Sequence, residues 1–145
     1  MTPPFPRSPR EMLGGYVFLP RLIEKVRLHA EGKLPVEYVG NLLKPGLTLD
    51  GRLLTFTGLA AEEVRRAILA STTDEAVLAW VKRHAVPHTE DEKKRWIAEI
   101  DAYRPNAESA QRRREAYKEV AAVVDPGTLN VFDLIDMDEG RIPLK

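Results

Sequence analysis

The stretch that decides the fold runs from Ser8 to Gly32 and reads SPREMLGGYVFLPRLIEKVRLHAEG. From Leu19 onward its apolar residues recur at the spacing of one helical face. A helix is therefore predicted to begin near Pro20 and to end at Gly32, where glycine tolerates the left-handed conformation that commonly follows a helix. The predicted buried face consists of Leu19, Leu22, Ile23, Val26 and Ala30.

A shorter feature precedes this helix. Ser8 stands before a proline, with Glu11 three positions on, a pattern typical of a helix N-terminus. A short helix is expected there. The adjacent pair Gly14 and Gly15 should interrupt it, because each glycine costs a helix interior about 1 kcal/mol and readily supplies a turn.

Two cations on the main predicted helix suggest a binding site. Arg21 and Lys25 lie four residues apart, and like charges at that spacing repel by a few tenths of a kcal/mol, so an anionic partner is expected. The preferred interpretation is Glu24 or an acidic stretch elsewhere in the chain. The alternative is a phosphate or carboxylate ligand near the amides of the glycine turn. The candidate anion-binding residues are Arg10, Gly14, Gly15, Tyr16, Arg21 and Lys25.

The rest of the chain is mostly amphipathic and capped. T-x-x-E patterns at Thr72 and Thr89 predict two helix starts, and Asn106 is expected to begin the longest helix, which stops at Pro126. His84 is interpreted as a last-turn residue that satisfies main-chain carbonyls.

The segment from Lys33 to Gly58 is less regular. Its residues Val36–Val39 are expected to form a short strand. Residues Leu49–Gly58 fit either a strand or a helix capped by Asp50, and the helix is preferred. The predicted fold is all-α or mainly α: a compact orthogonal bundle of about six helices, with at most a minor two-stranded element between residues 33 and 56.

Size and composition limit the possible classes. The 145 residues are expected to form a single domain, 1–145, with residues 1–7 as an extended proline-rich arm whose Phe5 docks on the body. With 22 basic and 22 acidic side chains, no net charge attracts a polyanion, so neither nucleic-acid nor membrane binding is expected. The sequence shows no signal peptide and no long apolar run, which predicts a cytoplasmic protein.

Metal and cofactor chemistry has no clear signature. The chain contains no cysteine, and its three histidines do not form a ligand pair, so no metal site and no cofactor are expected. The acidic carboxyl-terminal stretch lacks the ligands and closing glutamate of a calcium loop. Its carboxylates are expected to face water or to pair with Arg21 and Lys25; they are Asp133, Asp136, Asp138 and Glu139.

Four segments together resemble a family of small bacterial proteins classified only as a domain of unknown function. They read LGGYVFLPRLIEKVR, LDGRLLTFTG, TDEAVLAW and VFDLIDMDEG. The chain departs from the family pattern at Glu24, at Ala60, where an aspartate usually caps a helix, and in the connector NLLKPGLTLDG. The resemblance implies a recurring fold and no particular chemistry.

The function expected from these observations is that of a non-enzymatic binding or adaptor module, with a protein partner or self-association. The sequence contains neither a serine elbow nor a histidine pair, the motifs that would indicate catalysis. The alternative is a small enzyme or sensor for an anionic, phosphorylated or nucleotide-sugar-like metabolite, bound by the candidate anion site. Its acid or base would be Glu24 or Asp133.

Overall fold

The computed structural model describes residues 5–144, which are mainly helical and include nine α-helices and one two-stranded antiparallel sheet. The mainly α class is thereby confirmed, with short helices raising the number above six. In chain order the elements are β1 (Met12–Leu13), β2 (Tyr16–Val17), α1 (Leu19–Ala30), α2 (Val36–Val39), α3 (Leu49–Thr57), α4 (Ala61–Ala70), α5 (Asp74–His84), α6 (Glu90–Ala102), α7 (Ala107–Ala116), α8 (Lys118–Ala121), a 3-10 turn (Pro126–Thr128) and α9 (Val131–Asp138).

The chain divides into two compact units, one up to Glu90 and one from Asp91 onward. In the first unit, α1 contributes Leu22, Ile23 and Val26 to the fully buried side chains, as its apolar spacing predicts. In the second unit the buried side chains include Ile100, Val120, Phe132 and Leu134. The expectation of one domain over residues 1–145 stays a prediction.

The prediction of a short helix after Ser8 is wrong. Ser8 instead opens a turn, in which its carbonyl oxygen accepts the Glu11 amide at 3.2 Å, and the chain enters a β-hairpin. Gly14 and Gly15 form the hairpin turn with φ of +60° and +82°, the left-handed values that two-residue hairpin turns require. The glycine pair thus turns two strands rather than interrupting a helix, and the only sheet described within residues 5–144 lies here, not between residues 33 and 56.

Residues 33–58 are helical where they are regular. The strand expected at Val36–Val39 is instead α2, which follows Pro35, and residues 5–144 contain no further strand with which this segment could pair. The preferred helix over Leu49–Gly58 is confirmed as α3, and Gly58 ends it with φ of +71°. Its cap is Thr48, whose side chain accepts the Gly51 amide at 3.0 Å. Asp50 is therefore not the cap that the sequence predicts.

Among the later helices, one predicted cap is confirmed and two predictions need correction. Asn106 caps α7 by accepting the Ser109 amide at 2.8 Å, as expected. Thr73 rather than Thr72 caps α5. The long helix predicted from Asn106 to Pro126 is broken at Tyr117, where ψ of 60° leaves the helical region and separates α7 from α8.

The start of α4 offers a test of the capping argument. Ala60 occupies the N-cap with extended φ and ψ but has no side-chain hydrogen bond to the helix. Ala60→Asp should raise the free energy of unfolding by about 1 kcal/mol, because aspartate can accept a first-turn amide. Urea unfolding would measure the gain. Ala60→Asn should give a similar gain, and no gain from either variant would contradict the cap assignment.

Candidate functional site

Lys25 and Asp50 form a buried ion pair within the first unit. The Lys25 Nζ donates to Asp50 Oδ1 at 2.7 Å, and the two residues are 5% and 2% exposed. Asp50 Oδ2 also accepts the Leu43 amide at 2.6 Å. A buried charge needs a partner and further hydrogen bonds to offset desolvation, and both carboxylate oxygens meet that need here. The pair fastens α1 to α3 and to the preceding loop.

Two residues in left-handed backbone conformation adjoin this pair. Within residues 5–144, Phe18 and Leu43 are the non-glycine residues with positive φ, at 75° and 55°. The Phe18 ring lies below Lys25 Nζ, 5.5 Å away, and the Leu43 amide binds Asp50. Such conformations cost about 1–3 kcal/mol each and persist where the surroundings fix them. The ion pair and the packed Phe18 ring supply those surroundings.

Arg21 holds the amino-terminal arm. It is 4% exposed, donates from Nη1 to the Arg7 carbonyl oxygen at 3.0 Å, and stacks its guanidinium on the Tyr38 ring at 5.6 Å. The Phe5 ring lies 6.3 Å from that of Tyr38, which confirms that Phe5 docks on the body. Residues 1–4 of the predicted arm lie outside the described range. Arg21 therefore bridges α1, the arm and α2.

Arg7 adds an ionic network on the same side. Its amide donates to Glu24 Oε1 at 2.6 Å, and its Nη1 donates to Asp74 Oδ2 at 2.8 Å. Arg27 binds the other Asp74 oxygen at 3.1 Å. Burial alone would raise the pKa of Asp74, but hydrogen bonds and charges from Arg7 and Arg27 outweigh it and lower the pKa. The network ties the arm to α1 and α5.

Most of the predicted anion-site residues thus have roles in holding the fold together. Arg10 is exposed before β1, Tyr16 is buried in β2, and the glycine pair turns the hairpin. The predicted anionic partner of Lys25 exists, but it is Asp50 rather than Glu24 or the acidic tail. The geometry favours structural roles for Arg21 and Lys25, and ligand binding by the set of six stays a prediction.

The remaining predicted polar residues also have internal partners. Glu24, one candidate acid or base, accepts the Arg7 amide, and Asp133, the other, accepts Asn130 Nδ2 at 3.0 Å. In the acidic tail, Arg141 donates to Asp136 and Glu139 at 3.1 and 2.6 Å.

The ion pair makes a sharp stability prediction. Lys25→Met should lower the free energy of unfolding by about 3–5 kcal/mol, because it leaves the Asp50 carboxylate buried without its cation. Asp50→Asn should be similarly costly, although asparagine can still accept the Leu43 amide. The double variant should lose far less than the sum. Additive losses in urea unfolding would show that the pair is not energetically coupled.

A separate open groove lies between α4 and α5. It has a volume of about 530 Å³. Alanines leave the space: Ala67 and Ala70 are one helical turn apart on α4, and Ala76 lines the groove from α5. Trp80 lines it as a half-buried aromatic ring, and the His84 ring stacks on it at 4.7 Å. The lining residues are Glu63, Arg66, Ala67, Ala70, Ser71, Ala76, Trp80, Arg83 and His84.

The arginines of this α4–α5 groove differ from Arg7 and Arg27 in lacking acidic partners within the described residues. Across the described chain, residues 5–144, the side chains of Arg66 and Arg83 have no hydrogen bond or ion pair. Arg7 and Arg27, in contrast, both bind Asp74. The groove therefore presents two guanidinium groups whose donors are available to a ligand. Glu63 contributes one opposing carboxylate to the lining.

Sequence reasoning missed this groove. The apolar spacing of Val77, Trp80 and Val81 predicts that Trp80 is buried, whereas the structure leaves it half-buried. One signal was available: Arg83 has no acidic residue three or four positions away on its helix. Arg66 gave no such signal, because Glu62 and Glu63 precede it at pairing distance in sequence yet form no ion pair with it in the described structure.

The histidines have local roles. His84 Nδ1 lies 2.9 Å from the Trp80 carbonyl oxygen, to which it donates, confirming its prediction as a carbonyl-satisfying last-turn residue. His88 stacks on the Phe56 ring at 3.8 Å, and its Nε2 lies 2.7 Å from the Phe56 carbonyl oxygen. His29 Nδ1 accepts from Arg65 at 2.8 Å. In the part of the chain that the structure describes, no cluster of three or more carboxylate or histidine residues is placed to hold a metal ion.

The chain belongs to the family described as Domain of unknown function (DUF5069), whose model matches residues 3–141. This match confirms the resemblance carried by the four sequence segments. No curated protein matches the chain. Over residues 5–144, no helix has the length and apolar character needed to cross a membrane. The family description assigns no activity.

Proposed function

We propose that this member of the family is a non-enzymatic binding module, an adaptor whose α4–α5 groove receives a polypeptide segment of a partner protein. One observation carries the proposal: an open groove of about 530 Å³ combines the Trp80 ring with two arginines unpaired within residues 5–144. We expect the module to act in the cytoplasm and to need no cofactor.

The shape of the groove supports a polypeptide occupant. Sites for small molecules are usually enclosed and bury about 70–90% of the ligand surface. This groove is bounded by two helices and their connection and is open to solvent, so a small ligand would keep much of its surface in water. A polypeptide segment can run along such an opening and make contacts over its whole length.

The residue types in the groove also support binding to a protein. Tryptophan and arginine are the side chains most enriched among residues that dominate binding energy at protein interfaces. Trp80 offers a flat apolar surface, and Ala70 and Ala76 leave room for an incoming side chain beside it. The arginines can orient that segment through hydrogen bonds.

The polar groups of the groove favour binding over catalysis. Ser71 could be a nucleophile and His84 a base, but each donates to a main-chain carbonyl. The Ser71 Oγ donates to Ala67 at 2.7 Å, and His84 donates to Trp80. A nucleophile is activated when its hydroxyl donates to the base, and these bonds point elsewhere. The alternative, an anionic metabolite bound through Arg21 and Lys25, has less support because both cations have internal acceptors.

Selection from a displayed library of random peptides would test the proposal. Peptides that bind the natural protein should lose about 2 kcal/mol of binding free energy with Trp80→Ala, because an aromatic anchor is removed. Ala70→Phe should weaken them by filling the groove from an exposed position. Leu69→Ala is the matched control, since it removes an exposed apolar side chain of α4 that does not line the groove.

Three outcomes would contradict the proposal. The first is that no peptide is enriched. The second is that the enriched peptides bind the groove variants as tightly as they bind the natural protein. The third is a dimer, seen by light scattering, that Ala70→Phe dissociates, because the occupant would then be a second copy of this chain. Circular dichroism should first show that each variant keeps the helical content of the natural protein.

A further inference from the structure

We infer that the α4–α5 groove selects an acidic segment, one whose carboxylate side chains flank a flat apolar residue. This inference rests on the proposed function and names the chemistry of the partner. The apolar residue packs on Trp80, and the carboxylates bind Arg66 and Arg83.

The state of the two arginines supports an anionic occupant. Guanidinium groups match carboxylates because they present parallel N–H donors in a rigid fork. Other arginines of this chain already use that geometry internally, as Arg114 does by donating to both oxygens of Asp125 at 3.0 and 3.1 Å. Arg66 and Arg83 have no such acceptor within the described residues. An incoming carboxylate therefore pairs with them without displacing an internal partner.

The balance of charge in the groove sets the kind of anion. Two arginines, Arg66 and Arg83, and one glutamate, Glu63, line the groove, so the excess positive charge is small. The whole chain has 22 basic and 22 acidic side chains and adds no general attraction for a polyanion. Carboxylates placed at separate positions along a peptide fit this excess better than the dense charge of a nucleic acid, whose binding relies on many cations.

Trp80 and the alanines set the rest of the specificity. Aromatic pairs prefer offset or edge-to-face contact, and a half-buried indole can offer its exposed surface to such a neighbour. Ala70 and Ala76 are exposed and lack side chains long enough to cover Trp80. A phenylalanine between two acidic positions satisfies both requirements.

Fluorescence can test the inference directly. The chain has two tryptophans, so Trp96→Phe leaves Trp80 as the reporter. The probes are a short synthetic peptide with glutamates on both sides of a phenylalanine, and its twin in which every glutamate is glutamine. The acidic peptide should bind at least about tenfold more tightly, and raising the ionic strength from about 0.01 to 0.15 M should reduce the difference.

Charge variants should change the affinity for the acidic peptide in both directions. Arg66→Gln and Arg83→Gln should each weaken binding of the acidic peptide by about threefold to tenfold, and Glu63→Gln should strengthen it by about threefold. Lys82→Gln is the matched control: it removes an exposed cation of α5 that does not line the groove, and binding should change by less than about twofold.

The outcomes separate this inference from the proposed function. Equal binding of the two peptides would overturn the acidic selection, while binding that is lost with Ala70→Phe, which keeps the Trp80 reporter, would leave the groove as a peptide site. Failure of both peptides also overturns the inference, and failure of the displayed library in addition overturns the proposed function. Binding of a single-stranded oligonucleotide in preference to the acidic peptide would contradict both.

Discussion

The buried ion pair between Lys25 and Asp50 is the constraint on which the first unit depends. It joins residues 25 positions apart, since the lysine lies on α1 and the aspartate on α3. Neither residue can be buried favourably without the other, because an isolated charge in a protein interior costs several kcal/mol. The pair also accounts for the loop before α3, where Leu43 adopts a left-handed conformation while its amide binds Asp50.

This constraint affects where a ligand can bind. Cations on α1 resemble a binding site in sequence, but the structure uses Lys25 to neutralise Asp50 and Arg21 to hold the arm. The free-energy cost of burying these two cations is therefore offset by partners within the fold. Arg66 and Arg83 are exposed beside an aromatic ring, and their charges are not neutralised within the described residues. The same residue type therefore supports the fold in one place and is available for binding in another.

Local sequence signals predicted the helices well because caps and apolar spacing act over a few residues. Asn106 and Gly58 mark helix ends as expected. The errors arose where a distant contact decided the outcome. The hairpin before α1 depends on strand pairing across Gly14 and Gly15. Local sequence predicts Asp50 as a cap, because nothing near it in sequence reveals that Lys25 is its partner. Local preference cannot report such pairings.

The groove was harder to predict than the fold. Most of its features are ordinary in sequence: alanines at helical spacing, a tryptophan on an amphipathic helix, and an arginine, Arg66, that follows two glutamates. The site exists only because α4 and α5 meet with Ala67, Ala70 and Ala76 between them. Whether an arginine such as Arg66 pairs with Glu62 or remains available is also a property of the folded chain, since exposed pairs at this spacing contribute only about 0.3–0.5 kcal/mol.

The most direct measurement is a nitrogen–proton correlation spectrum of the isotopically labelled protein, recorded during titration with the glutamate–phenylalanine peptide. If the peptide binds in the α4–α5 groove, the largest shift changes fall on the Trp80 indole and on amides of residues 66–71 and 76–84, with Gly14 and Gly15 nearly unchanged. Largest changes at Gly14, Gly15 and Tyr16, with the Trp80 indole unmoved, would contradict binding in the groove and would place the ligand beside α1.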